Sequence, residues 1–114
     1  MSTKKRKPVK VDFGMASKRA VLIRKRYHQL EKLNHKKAWT TEEDMLAFSS
    51  DVGALARLVM AAEGRWIQDG NVHAELKSKM AECLWWILVL SDRLDIDLAE
   101  AFTLFIDNRQ ADLK

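Results

Sequence analysis

The chain has 114 residues, 47% of them apolar and 32% charged, with a formal net charge of +4 and one cysteine. That length supports a single domain with a real core. The longest uninterrupted apolar run, Cys83 to Leu90, falls well short of the roughly 18 residues of a membrane span, and one thiol excludes a disulfide framework or a CxxC metal knuckle.

The charge is unevenly spread. Residues 1–38 hold 13 Lys/Arg against 2 Asp/Glu, a net of +11, whereas residues 39–114 hold 7 against 14, a net of −7. The opening "MSTKKRKPVK" contains the single proline, Pro8, and lacks periodicity, so residues 1–13 are expected to form a flexible basic arm ahead of a helical domain at 14–114. Its charges are followed by no apolar segment with a small-residue cleavage site, so no secretory signal is expected. A soluble, cytoplasmic protein is the expectation, with no membrane partner. The arm carries a "KKRKP" cluster of the nuclear-localisation type, a short and unspecific pattern. Its charge would let it bind nucleic acid non-specifically.

After Gly14, Ala16, Ala20, Ile23, Tyr27 and Leu30 recur at steps of three and four, the stripe of an amphipathic helix that ends near Asn34 to Lys37. "AWTTEED" restarts the chain, because Thr40 and Glu43 have the spacing of a capping box. The second helix carries Met45, Phe48, Val52, Leu55 and Val59 at the same rhythm and stops at Gly64. Gly53 in its interior costs about 1 kcal/mol relative to alanine, a cost that close helix approach would justify. "GRWIQDGN" reads as a loop. A third helix, about Val72 to Leu94, is apolar on every side in its second half, the pattern of a central element. Asp97 and Glu100 again have capping-box spacing and start a fourth helix, with Leu98, Phe102, Phe105 and Ile106 expected to face inward. No window alternates as a strand does. The fold class is all-α, an antiparallel four-helix bundle, and surplus apolar surface on the third and fourth helices would favour a homodimer.

Two stretches, "WTTEEDMLAFSSDVGALARLV" and "AECLWWILVLSDRLDIDLAEAF", together resemble the MazG-like all-α nucleotide pyrophosphohydrolases, including the dCTP pyrophosphatase branch. Asp51-Val52-Gly53-Ala54-Leu55 is similar to the family's Glu-Val-Gly-Glu-Leu type motif. Lys79-Met80-Ala81-Glu82-Cys83-Leu84-Trp85 is similar to its Glu-Leu-Ala-Asp-Cys/Val-Leu-Trp type motif, and "LSDRLDIDLAEAF" to the segment that follows. The resemblance spans roughly residues 38–106, in order. It implies cleavage of nucleoside triphosphates to a monophosphate and pyrophosphate, with Mg²⁺ held by acidic side chains of two central helices. Carboxylates three residues apart share a helix face, and two opposed faces make an oxygen-rich site of the kind Mg²⁺ takes.

The pattern breaks at the ligand positions. Asp51 and Glu82 remain as metal-binding candidates, but Ala54 and Lys79 stand where their acidic partners belong. The expectation is an altered site in which the lysine charge replaces a metal, with activity weak or lost. Spare acids at Glu63, Asp69 and Glu75 would restore an enzyme if the fold brought one beside Glu82. Trp39 and Arg57 are the candidate nucleotide contacts, with Arg65 a further phosphate candidate. The other reading is a non-catalytic nucleotide-binding or protein/nucleic-acid interaction module that uses the basic arm. His28, His35 and His73 lack metal spacing and read as surface residues. No Gly-x-Ser-x-Gly elbow and no glycine-rich phosphate loop occurs, and Cys83 lies where a thiolate is disfavoured. A helix-turn-helix reader fits poorly, since these helices are long for its compact motif.

Overall fold

The computed structural model of the chain describes residues 9–113, so residues 1–8 of the arm expected at 1–13 lie outside the described residues. Among the described residues there are four helices and no strand: α1 (Phe13–His35), α2 (Thr41–Ala62), α3 (Val72–Arg93) and α4 (Leu98–Asp112). The all-α expectation holds, and each helix begins where its capping side chain places it. Asp12 accepts from the Met15 N–H at 2.8 Å, which starts α1. Thr40 and Glu43 exchange both bonds of a capping box, Asn71 caps α3 and Asp97 caps α4, each satisfying backbone donors that a helix start leaves free.

The ends are equally local in cause. Lys36 closes α1 in the left-handed region at φ 67°, its N–H bonded to the Lys32 carbonyl. Gly64, expected to stop α2, lies at φ 75° just beyond its last residue. Asp95 takes φ 57° between α3 and α4, a conformation that a short polar side chain tolerates better than most.

α3 is the central helix, packed against α2 and, less extensively, α1. It supplies Cys83, Trp86, Leu88 and Val89 to the buried apolar core, which Leu58 of α2 and Ala20 of α1 complete. Trp85 ties α1 to α3, donating from its indole to the Ala20 carbonyl at 3.2 Å and meeting the Tyr27 ring edge-on. α2 is long and apolar enough, by length and composition alone, to cross a membrane. Its mid-helix Asp51 is bonded to α3 instead, as suits a bundle helix.

Four expectations need correction. On α1 the inward face is Ala20 and Arg24, while Ile23 and Tyr27 are half exposed. On α2 it is Asp44 and Leu58, with Met45, Val52 and Val59 half exposed. Both faces are turned by about one residue, roughly 100°, because Arg24 and Asp44 pair across the contact and carry the inward position with them. The expectation that α4 faces inward also fails within one chain. α4 buries no side chain, and Phe102, Phe105 and Ile106 are exposed. α3 is buried on one side only in its apolar half, with Leu88 covered but Leu84 and Ile87 exposed.

Candidate functional site

Asp51 lies midway along α2 and Lys79 and Glu82 lie one turn apart on α3, so the packing of α2 on α3 brings them together. The Lys79 Nζ donates to Asp51 Oδ1 at 3.1 Å and to Glu82 Oε1 at 2.7 Å. The other Asp51 oxygen accepts from the Trp86 indole N–H at 2.7 Å. Both oxygens of Asp51 are therefore engaged, and one ammonium bridges the two carboxylates. The hydrogen bond to Glu82, reinforced by that to Asp51, raises the Lys79 pKa above the ordinary lysine value, so the cation is held charged. Burial, with Asp51 nearby, pushes the neighbouring Cys83 thiol up and away from the reactive thiolate.

Beside this triad a cleft of about 690 Å³ opens between α2 and α3. Ser50, Gly53, Ala54 and Arg57 line its α2 side, and Gln68, Glu75, Ser78 and Lys79 face them. Ala54 thus sits on the cleft wall one turn beyond Asp51 and offers a methyl group. Arg57 reaches the same wall with its guanidinium over the Trp66 ring at 5.7 Å, an aromatic contact that spacing gave no reason to single out.

These side chains do not fit Mg²⁺. A hard octahedral dication needs several anionic or neutral oxygens. Here Lys79 repels it at short range, and Asp51 is committed to Trp86. Among the described residues no group of three or more His, Cys, Asp or Glu is arranged to hold a metal ion. Glu75, one of the spare acids, instead accepts from the Gln68 amide at 3.0 Å.

Trp39 is not part of the cleft wall. Its N–H donates to Glu31 at 2.8 Å, its carbonyl accepts from Arg93 at 3.0 Å, and its ring lies 5.8 Å from the Arg24 guanidinium. It belongs to a second ionic cluster that sequence reasoning missed. Arg24 donates to Asp44 through Nε and Nη2 and to Glu31 through Nη1 at 2.8 Å, while Arg93 reaches Asp44 at 2.7 Å. Asp44 is completely buried. The signal available was an Arg at the edge of the apolar stripe, four residues after Ala20 and seven before Glu31. His28, expected at the surface, is half-buried beside this cluster, and its Nε2 is buried with no partner among the described residues.

No protein-family model matches the chain, and no curated protein or solved structure matches it.

Proposed function

We propose that the chain is a MazG-like nucleotide-binding domain of the pyrophosphohydrolase type in which an ammonium has taken the place of the metal. The observation that carries this is the Lys79 bridge, with its nitrogen bonded to both remaining acids at 3.1 and 2.7 Å. The bridged positions are those where the resemblance places the family's ligands, so substitution of one charge for another is a simpler account than a surface ion pair. Arg57 on the adjoining wall is the group suited to a phosphate, since a guanidinium presents several donors in one plane. The domain binds a nucleoside triphosphate through its phosphates, without divalent metal, and turns it over little.

The test is calorimetric titration with Mg²⁺ alongside pyrophosphate release from a panel of nucleoside triphosphates. Wild-type protein is expected to bind Mg²⁺ weakly and release little pyrophosphate. Ala54→Glu combined with Lys79→Glu raises Mg²⁺ affinity, because two acids are restored and the competing cation removed, and either change alone does less. Robust Mg²⁺-dependent turnover by the wild type, lost on Asp51→Ala or Glu82→Ala, would overturn the reading.

The same reading includes a second copy of the chain. Its support is the set of half-exposed apolar side chains on three helices, Val52 and Val59 on α2, Leu84 and Ile87 on α3, Phe102 and Phe105 on α4, more apolar surface than a stable monomer usually leaves in water.

A further inference from the structure

From the outward face of α1 we infer that this helix, and not only the basic arm before it, is a docking surface for double-stranded DNA. Positions seven apart return to nearly the same side of a helix. On α1 this places Lys18, Lys25 and Lys32 in one row and Arg19 and Arg26 in a second, about 100° further round. All five are exposed. None takes part in a salt bridge among the described residues; Arg26 donates to Gln29 at 3.0 Å, a neutral partner. Asp92 and Asp97 share a groove with Lys18 and Lys25, but neither closes an ion pair with them. The two acids of the α1 region point elsewhere, since Asp12 caps the helix and Glu31 is bound by Arg24 and the Trp39 N–H.

Between the rows runs a ridge of Met15, Leu22, Gln29 and Leu33, all exposed, with Leu22 at 65% and Leu33 at 77%. From Met15 to Leu33 the ridge extends for about 27 Å at 1.5 Å per residue. A ridge with a row of cations on each flank matches the section of a duplex major groove, which is about 12 Å wide and admits a helix between two walls of phosphate. The ridge would face the base edges, where short apolar groups and one amide discriminate little, so affinity is carried by phosphate contacts. An anionic membrane is the other surface that basic helices meet, but it requires a broad apolar face to enter the headgroup layer. Here the ridge is narrow, and Gln29 interrupts it.

The experiment follows fluorescence anisotropy of a labelled DNA duplex of about 25 base pairs with the full chain, across a series of NaCl concentrations. Each cation that contacts a phosphate adds about 0.9 to the slope of log affinity against log salt. Neutralising the first row (Lys18→Gln, Lys25→Gln, Lys32→Gln) is expected to lower the slope by up to about 2.7, and the second row (Arg19→Gln, Arg26→Gln) by up to about 1.8. Thermal unfolding of each variant should match the wild type, because every replaced side chain is exposed. Removing residues 1–8 should leave binding that still depends on both rows. Row variants with unchanged affinity and slope would overturn the inference, as would binding abolished by removal of residues 1–8 alone. Row-dependent binding to vesicles of phosphatidylcholine and phosphatidylserine without duplex binding would replace nucleic acid by a membrane and overturn it too.

Discussion

Asp44 illustrates how a single side chain can decide which way two helices face. A fully buried carboxylate is unfavourable unless its charge is answered, and here Arg24 and Arg93 answer it from α1 and α3. Removing one partner of such a buried cluster costs about 3–5 kcal/mol, because the rest is left uncompensated. His28 sits against this cluster. Burial, then the nearby Arg24 and Arg93 charges, lower its pKa below the ordinary 6.5, with Glu31 and Asp44 opposing the shift. The folded protein therefore binds fewer protons at this site than the unfolded chain, so acidification favours unfolding. Urea denaturation should show stability present above pH 6.5, the unfolded value, and lost as pH falls below it toward the folded pKa. His28→Leu, which removes both the titration and the unpaired buried nitrogen, should narrow the difference between pH 7.5 and pH 5. A variant that loses as much stability as the wild type over that interval would show that His28 is not the group responsible.

At the level of elements, α2 carries a cost that nothing within the chain explains. Gly53 is helical and exposed, and a Cβ added there would meet nothing within 4 Å. The close approach expected for it is not made by any described part of the same chain. Glycine in an exposed helix interior is less favourable than alanine by roughly 0.5–1 kcal/mol, so Gly53→Ala should raise the stability of the isolated chain by about that much. Equilibrium unfolding in urea at low protein concentration measures it. Destabilisation would show that another surface, such as a second copy, comes too close for a methyl group. The sequence already contained the glycine and its cleft-side neighbours Ala54 and Arg57, but which wall they would face depended on the rotation of α2 about its axis.

The whole molecule is open for its size. Its radius of gyration is 17.3 Å, against about 13 Å for a compact domain of some 100 residues. Among the described residues the core has six buried apolar side chains, four of them on α3, and α4 contributes none. Light scattering coupled to size exclusion should therefore give a mass near twice the 13.2 kDa of one chain. Phe102→Glu with Phe105→Glu should return it toward a monomer, because two carboxylates would have to be buried without partners. A wild-type mass of one chain at micromolar concentration would contradict the proposed second copy.

Helix number, approximate helix bounds and the N-caps Thr40 and Asp97 were legible in the sequence alone, because caps, stop signals and apolar periodicity act within a few residues along the chain, whereas the caps Asp12 and Asn71 were not singled out. The same local logic placed Lys79 and Glu82 on one face of a single helix. What the tertiary structure decided were the contacts between helices: Asp51 against Lys79, Arg24 against Asp44, and the exposed state of α4. Spacing along one helix leaves its rotation free by a residue or so wherever apolar side chains lie on both sides of the stripe, as they do on α2. A buried ion pair between helices settles that rotation, and its partners, Arg24 and Asp44, are twenty residues apart in sequence.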